Sequence, residues 1–291
     1  MWIEQSRLVV ADGGAHGASG GPGTIVGMEF SGEVVEFGND VKGYSVGDRV
    51  MCSGSSAWAE YAVADHGRVI KIPINNMDYL KASTYPIALA TMHNAILTIG
   101  NFTKGQSILI QGASSGVGLM GLQIAKHLEA KIVIGTSTKA NKFEKLKSLG
   151  ADLVLNSKDS DWVNQVLSAT DGQGVDLVVD QLSGFTVNQN MQATKIKGKI
   201  VNVGRLAGGS TDFNCDIHAL RRINYEGVTF RTRSIDEIRD VYSKMWNDFE
   251  NLVVSGELSL PVEKVFDFKD VGKALSFMRD NQHFGKLVLK L

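Results

Sequence analysis

A turn rich in glycine and serine in the middle of the chain carries the clearest chemical signal. The segment LIQGASSGVGLMGLQIAKHL, residues 109–128, passes from a strand pattern through small residues into an amphipathic helix. Such an arrangement presents backbone N–H groups and the positive end of a helix dipole at one point, which suits a pyrophosphate. Ser114 or Ser115 can cap the helix, while Gly118 and Gly121 leave one face bare enough to lie close to a sheet. The segment predicts a dinucleotide site.

The residues after the next strand pattern indicate which dinucleotide is bound. Sites for NAD usually carry Asp or Glu there for the ribose hydroxyls, whereas IVIGTSTKANK offers Ser137, Thr138, Lys139 and Lys142 and no carboxylate before Glu144. Hydroxyl and ammonium groups suit a 2′-phosphate, so this segment favours NADPH over NADH. The alternative interpretation is that the lysines are solvated surface charges.

Two patterns of hydrophobic residues divide the chain. Between residues 136 and 203, short apolar runs alternate with helix-length amphipathic segments such as KANKFEKLKSLG, DWVNQVLSAT and FTVNQNMQATKIKG, which predicts an α/β fold with a doubly wound parallel sheet. The first ninety residues instead show period-two alternation, as in SGEVVEFGNDV and AWAEYAVAD, which predicts antiparallel strands. A long helix through SIDEIRDVYSKMWNDFENLVVSG, a strand KVFDF, a helix VGKALSFMRD and a strand KLVLKL follow the parallel part.

Composition and charge restrict the classes of function. The 291 residues carry 30 Lys and Arg against 31 Asp and Glu, a balance without the positive field that draws proteins to nucleic acids or anionic membranes. No stretch reaches the roughly eighteen apolar residues of a membrane span, and the N-terminus lacks a signal-peptide core. Cys52 and Cys215 are too few for a disulfide framework. We expect a cytoplasmic protein with a small-molecule substrate and no nucleic-acid or membrane partner.

Several segments together resemble one family. GMEFSGEVVEFGNDVKGYSVGDRVM (27–51), AEYAVAD, PIALATMHNAIL followed by GQSILIQGASSGVG, and the final FGKLVLKL are similar to motifs of the zinc-independent medium-chain dehydrogenase/reductases. That family includes zeta-crystallin-like quinone oxidoreductases and the enoyl reductases related to polyketide synthases. The resemblance implies a Rossmann sheet, residues 91–233, inserted into a GroES-like β-rich substrate domain, residues 1–90 and 234–291.

The resemblance also implies an activity and its site. Such enzymes bind NADPH and pass a hydride from nicotinamide C4 to a quinone or to the β-carbon of an enone or enoyl thioester. The implied cofactor contacts are Ser114, Ser115, Gly116 and Val117 at the pyrophosphate, Ser137 and Lys142 at the 2′-phosphate, Asn156 near the adenosine, Asn202, Val203, Gly204 and Phe230 near the nicotinamide, and Lys286 from the last strand. Ser157 replaces the tyrosine that many relatives carry after the asparagine, which weakens the case for adenosine stacking there.

We predict no metal site. Zinc-dependent relatives carry GHE where this chain has Gly27, Met28 and Glu29, and a thioether is a poor zinc ligand. Without a Lewis acid, reduction of an already polarised alkene or quinone is the natural chemistry. The enolate that results from hydride addition needs a proton, and the candidate catalytic residues are Tyr85, Thr91 and His93. His93 on a mostly apolar helix and Tyr85 before a proline can equally be packing residues.

Rival interpretations remain at this stage. MWIEQSRLVVADGGAHGASGGPGTIV is shorter than the N-terminal region of the relatives, so either the native gene is short or the sequence is truncated, and the pocket is open or completed by another subunit. A short-chain dehydrogenase would need Tyr-x-x-x-Lys, which none of the six tyrosines provides, and a serine hydrolase would need acid and histidine partners for the serine of its elbow. A catalytically weak NADPH-binding redox sensor or scaffold stays as the alternative.

The family resemblance leads us to expect a homodimer, and the strand YEGVTF could supply the exposed sheet edge for pairing.

Overall fold

The computed structural model describes residues 2–3, 15–16, 19–20, 23–73 and 77–291. The chain divides into two compact units, and each is described by itself below. Unit 1 consists of Met1–Ala90 and Phe230–Leu291, and unit 2 of Thr91–Thr229. The assignment of substrate binding to one unit and cofactor binding to the other stays a prediction.

The secondary structure contains fourteen strands and nine α-helices within the described residues. The strands are β1 (Trp2–Ile3), β2 (Ala15–His16), β3 (Ser19–Gly20), β4 (Glu29–Glu33), β5 (Arg49–Ser53), β6 (Val69–Lys71), β7 (Ser107–Gln111), β8 (Ile132–Thr136), β9 (Leu153–Leu155), β10 (Val175–Asp180), β11 (Thr194–Asn202), β12 (Asn224–Gly227), β13 (Val262–Asp267) and β14 (Lys286–Lys290). The helices are α1 (Tyr79–Ala82), α2 (Pro86–His93), α3 (Gly116–His127), α4 (Phe143–Ser148), α5 (Trp162–Ala169), α6 (Val187–Ala193), α7 (Cys215–Arg221), α8 (Ile235–Ser255) and α9 (Val271–Arg279).

Unit 2 contains the predicted parallel sheet. Its six strands lie in the order β12-β11-β10-β7-β8-β9, and every pair is parallel. The central strands β7 and β10 are apolar and almost entirely buried, as expected for a sheet covered on both faces. One core cluster of unit 2 includes Leu109, Val178 and Ile200 from the sheet and Trp162 from α5. The prediction of a doubly wound α/β sheet is confirmed.

One predicted helix of unit 2 is shorter than its sequence pattern. The segment FTVNQNMQATKIKG predicts a helix up to residue 198, but α6 ends at Ala193 and β11 begins at Thr194 without a connecting loop. The Thr194 hydroxyl donates to the carbonyl of Asn190 at 2.6 Å and so closes the last turn of the helix. The β-branched Thr194 and Ile196 favour the extended conformation that follows.

Unit 1 contains small sheets. β4, β5 and β6 form an antiparallel sheet, and β14 lies between β13, to which it is parallel, and β1, to which it is antiparallel. A core cluster formed by Trp58, Phe266, Met278 and Leu287 lies among its elements. Of the N-terminal region that we expect to be shortened, most of residues 1–22 lies outside the described residues. Only β1 and the β2–β3 pair belong to the described part.

The period-two pattern overestimates the strands of unit 1. β4 ends at Glu33, so Val35 and Phe37 of SGEVVEFGNDV are not in a strand, and both are exposed. AWAEYAVAD forms no strand: Trp58 is buried beside its neighbour Ala57, whereas Tyr61 and Val63 are exposed. Burial of two consecutive residues does not match the alternation of a half-buried strand, so this prediction is wrong.

The long helix of unit 1 follows from its sequence signals. α8 begins after Ser234, whose hydroxyl accepts from the N–H of Glu237 while the Glu237 carboxylate accepts from the N–H of Ser234. This reciprocal capping satisfies two donors that the helix cannot satisfy itself. Among the described residues, we find no helix long and apolar enough to cross a membrane.

Candidate functional site

The strand order of the sheet in unit 2 reverses between β7 and β10, and the carboxyl ends of these two strands lie side by side. The chain passes from β7 outward to β8 and β9 on one side, then crosses back to β10 and continues to β11 and β12 on the other. Gln111 is in register with Asp180, and Asp180 with Asn202, across this point. Ligands of open parallel sheets bind in the crevice beside the carboxyl ends at such a reversal. The candidate site therefore lies at this edge of unit 2.

Helix α3 starts at this edge, and we call residues 112–118 the glycine-rich loop. The Ser115 hydroxyl caps the helix by accepting from the N–H of Gly118 at 3.0 Å. The N–H groups of Gly116 and Val117 precede the first intrahelical hydrogen bond and can donate to an anion. A Cβ atom at Gly118 would lie 2.7 Å from the carbonyl oxygen of Gly112, so only glycine allows the loop to close this tightly. The loop fits a diphosphate.

The residues predicted to bind a 2′-phosphate follow β8. Ser137 is buried, and its hydroxyl lies 3.3 Å from that of Ser114 in the glycine-rich loop. Lys142 ends the 3₁₀ helix Ala140–Lys142 and is only 4% exposed. The alternative interpretation of Lys142 as a solvated surface charge is therefore wrong. Asn156, after β9, accepts from the N–H of Lys158 at 3.0 Å and shapes a turn.

A buried network of side chains joins the strand ends of the site. The Gln111 amide donates to Asn190 Oδ1 at 2.6 Å and accepts from the Thr136 hydroxyl at 2.7 Å. The Gln181 amide donates to the carbonyl of Gln111 at 3.1 Å, and its oxygen lies 2.9 Å from the Ser115 hydroxyl. The cap of α3 is thus coupled to the loop after β10. The sequence analysis did not predict this network. Polar residues at the ends of apolar strands were the signal that could have indicated it.

The residues predicted to lie near the nicotinamide follow β11. The N–H groups of Val203 and Gly204 donate to the carbonyl of Asp180 at 2.7 and 3.1 Å. The Asn202 amide donates to the Ser183 hydroxyl in the loop after β10. The structure thus brings this segment to the same sheet edge as the glycine-rich loop, while its contact with a cofactor stays a prediction.

Two further predicted cofactor residues belong to unit 1. Lys286 on β14 is fully buried and forms an ion pair with the equally buried Glu29 at 3.0 Å. The other oxygen of Glu29 accepts from the N–H of Ile87 at 2.6 Å, in the first turn of α2. Phe230 lies 5.6 Å from the guanidinium of Arg233. The cofactor contacts of Phe230 and Lys286 stay predictions, and the observed partner of Lys286 is Glu29.

The candidate catalytic residues are buried. Tyr85 precedes α2 and is 1% exposed, and this burial raises the pKa of its phenol to about 12. The phenol therefore keeps its proton at neutral pH and can act as a donor. Thr91 and His93 lie on α2 and are also buried, at 8% and 2% exposure. A role for any of the three in proton transfer stays a prediction.

The side chains that commonly bind metals are dispersed. In the part of the chain that the structure describes, no three His, Cys, Asp or Glu residues come together as a possible metal site. Cys52 is buried, which raises the pKa of its thiol and keeps it protonated. Independence from zinc stays a prediction, because residues 116–249 match the model of a family described as zinc-binding dehydrogenase.

Comparisons with known proteins identify the domains. Besides that match, residues 5–74 match the alcohol dehydrogenase GroES-like domain. Highly reducing polyketide synthase 40 of Fusarium pseudograminearum is 27% identical over 283 residues, which cover 94% of this chain and 11% of that protein. The chain spans only 6% to 12% of the length of the curated relatives it matches.

Solved structures agree with this assignment. The Escherichia coli quinone oxidoreductase complexed with NADPH has a TM-score of 0.88 and 22% identity, with 100% of this chain and 89% of that chain covered, which shows the fold. The CurF ER cyclopropanase from the curacin A biosynthetic pathway has a TM-score of 0.78 and 26% identity, with 91% and 78% covered. A GroES-like domain combined with a Rossmann-type sheet is thereby confirmed. The chain belongs to the medium-chain dehydrogenase/reductase family.

Proposed function

We propose that this protein is an NADPH-dependent, zinc-independent oxidoreductase that reduces a quinone or the activated double bond of an enone or enoyl thioester. The observation that carries the proposal is the capped start of α3 at the reversal of the sheet, beside hydroxyl and ammonium side chains after β8. Similarity to polyketide synthases and to quinone oxidoreductases supports the choice of substrate class. The bound cofactor would supply a hydride from nicotinamide C4.

The residues of unit 2 divide the binding of the cofactor among them. The N–H groups of Gly116 and Val117 would donate to the diphosphate, where the helix dipole adds a favourable field. Ser137 and Lys142 would hold the 2′-phosphate, since the segment between β8 and Glu144 contains no carboxylate that would repel it. The backbone of Val203 would approach the other half of the dinucleotide.

A proton must reach the carbon next to the carbonyl, or the quinone oxygen, after hydride addition. Tyr85 is our first candidate donor because a phenol is a stronger acid than the hydroxyl of Thr91, although burial raises its pKa to about 12. Replacement of Tyr85 by Phe should then lower kcat more than it raises KM, and Thr91→Val and His93→Asn provide the matched comparisons.

The decisive experiment follows NADPH oxidation with a panel of acceptors: a para-quinone, an α,β-unsaturated ketone and a 2-enoyl thioester. Acceleration by at least one acceptor supports the proposal. If NADPH binds and no acceptor accelerates its oxidation, the reductase assignment fails and the binding-only alternative is favoured.

Zinc independence has its own test. We expect prolonged treatment with a strong chelator to leave turnover unchanged and elemental analysis to find no stoichiometric zinc. Loss of activity on chelation, restored by added zinc, would overturn this part of the proposal.

The expected homodimer and cytoplasmic location belong to the proposal as well. β12 is the outermost strand of its sheet, and the nearby Phe213 and Leu220 are exposed, which supports pairing along this edge. Light scattering on the purified protein tests it, because a species with the 31.5 kDa mass of a single chain would contradict a dimer.

A further inference from the structure

Asp180, the last residue of β10, is a fully buried carboxylate. Its Oδ1 accepts from the N–H groups of Leu182 and Ser183, each at 2.9 Å. Its Oδ2 is also buried and receives no hydrogen bond among the described residues. Burial raises the pKa of Asp180, against the opposing effect of these N–H groups and the amides of Asn190 and Asn202. A group that is this costly to bury needs a reason to be there.

The two bonds to Oδ1 fix the loop after β10 in a strained shape. Ser183 has φ 55° and ψ −148°, a conformation that residues other than glycine rarely adopt. In this shape the Ser183 hydroxyl donates to the carbonyl of Gly204 at 2.7 Å. The Asn202 amide in turn donates to the Ser183 hydroxyl. Asp180 therefore holds Ser183, and Ser183 holds the loop after β11.

Further backbone contacts lock the two loops together. The N–H of Leu206 donates to the carbonyl of Gln181 at 3.1 Å, and that of Ala207 to the carbonyl of Leu182 at 2.8 Å. A Cβ atom at Gly204 would lie 2.4 Å from the Gln181 oxygen, so the loops approach as closely as their backbones allow. We call residues 181–184 and 202–207 the paired loops.

The paired loops lie on one side of the sheet reversal. A doubly wound sheet consists of two mononucleotide-binding halves, and a dinucleotide lies across both. The residues suited to a 2′-phosphorylated ribose follow β8, on the half formed by β7, β8 and β9. The paired loops follow β10 and β11, on the half that faces the other nucleotide.

We propose that Asp180 is a positioning residue for the nicotinamide half of the cofactor, acting through Ser183 on the backbone of residues 202–204. This inference rests on the proposed function, since it concerns the same dinucleotide site. It predicts that Asp180 matters for one half of the ligand and not for the other.

The test measures two dissociation constants by calorimetry for each variant, one for NADPH and one for adenosine 2′,5′-bisphosphate, which lacks the nicotinamide half. Asp180→Ala removes both acceptor oxygens, and Asp180→Asn keeps one. Asp176→Asn is the matched control, since Asp176 lies on the same strand and accepts from the N–H and hydroxyl of Ser107 at 2.8 Å each, at the opposite end of the sheet. Unfolding midpoints are recorded for all variants.

We expect Asp180→Ala to raise the dissociation constant of NADPH by about tenfold and that of the bisphosphate by less than about twofold. Asp180→Asn should recover part of the NADPH affinity with the same asymmetry, and it takes the place of the alanine variant if that variant does not fold. Asp176→Asn should lower the unfolding midpoint and leave both dissociation constants within about twofold of wild type.

The unfavourable outcomes are distinct. Equal losses for the two ligands, or no loss for either, overturn the role of Asp180 and leave the proposed function intact. If the wild-type protein binds neither ligand, the proposed function is overturned, and the role of Asp180 with it.

Discussion

Glu29 in unit 1 and Asp180 in unit 2 are both fully buried carboxylates, but their charges are compensated differently. Glu29 has a cation, Lys286 at 3.0 Å, and its other oxygen accepts from a backbone N–H. Asp180 accepts from two backbone N–H groups at one oxygen and lies beside the amides of Asn190 and Asn202, and burial raises the pKa of its carboxyl. The fully satisfied pair joins β4, β14 and α2, whereas the partly satisfied group holds a strained loop at the candidate site.

Structural and functional carboxylates differ in how completely their charge is compensated. Buried ion pairs with complete hydrogen bonding are common structural devices, and their removal is expressed in stability. Buried groups with incomplete compensation are retained at a cost, which is easier to explain at a site that binds a ligand.

Lys286→Met should have the largest effect on stability. It leaves the Glu29 carboxylate buried without its cation, which we expect to lower the free energy of unfolding by about 3–5 kcal/mol. Urea unfolding followed by circular dichroism measures it. The double variant Glu29→Gln with Lys286→Met should recover most of the loss, because no buried charge remains. A loss below about 1 kcal/mol in the single variant would show that the pair is not the stabilising contact we describe.

Lys142→Ala should weaken the binding of NADPH more than the binding of NADH. We expect NADPH affinity to fall by roughly 1.5–3 kcal/mol, the range of charge-assisted hydrogen bonds, with little change for NADH. Fluorescence titration with both cofactors measures the ratio, and Lys139→Ala on the same loop is the matched control. Equal weakening of NADPH and NADH would refute the assignment of Lys142 to the 2′-phosphate.

The two carboxylates of β10 should give opposite pH dependences. Burial tends to raise the pKa of Asp176, but hydrogen bonds from Ser107 and the pairing with Lys195 lower it overall. Its stabilising effect is therefore present above the unfolded pKa near about pH 4 and lost as the pH falls through the lower folded pKa. For Asp180, whose folded pKa is raised, stability is instead lost as the pH rises from the unfolded towards the folded value.

Unfolding of Asp176→Asn and Asp180→Asn from pH 7 down to pH 3 checks these signs. The deficit of Asp176→Asn relative to wild type should shrink towards the acid end. The stability of wild type relative to Asp180→Asn should improve over the same range. The same trend in both variants would contradict the contrast between the two ends of the strand.

The helix caps provide the smallest and most closely matched comparison. Ser115 caps α3 in unit 2 and Ser234 caps α8 in unit 1, each through its hydroxyl. Either serine-to-alanine substitution should cost about 1 kcal/mol of stability. Only Ser115→Ala should also weaken the binding of NADPH, since it removes the cap of α3 and the contact with Gln181. A loss of NADPH affinity in Ser234→Ala would indicate a general effect of destabilisation.

Local signals predicted the parts of the fold that depend on local geometry. The alternation of apolar runs and amphipathic segments predicted the parallel sheet, and the serine and glycines after β7 predicted the cap and close packing of α3. The same kind of signal failed for residues 57–65, because a period-two pattern forms a strand only where a partner strand is available. It also failed at Thr194, where the helix pattern continued into residues whose pairing with β10 starts a strand.

The side-chain contacts that the sequence did not predict join residues far apart in the chain. Gln111 and Asn190 are 79 residues apart, and Glu29 and Lys286 are 257 apart. No spacing rule connects such pairs, and each residue alone is an ordinary polar side chain near the end of a strand or in a helix. In the sequence, Asp180 is simply the last residue of VDLVVD. Its proposed role follows from the hydrogen bonds that its carboxylate accepts from the loop after β10.

The division of unit 1 into two chain segments has a consequence for synthesis on the ribosome. Residues 1–90 emerge first, yet contacts that complete their packing come from α8 and β14, such as the Tyr242 hydroxyl that donates to Ser53 at 2.5 Å. Unit 2 is continuous and can assemble its six strands while the nascent chain is still growing. Residues 1–90 therefore cannot complete this packing, and Glu29 lacks its counter-ion, until β14 has been translated.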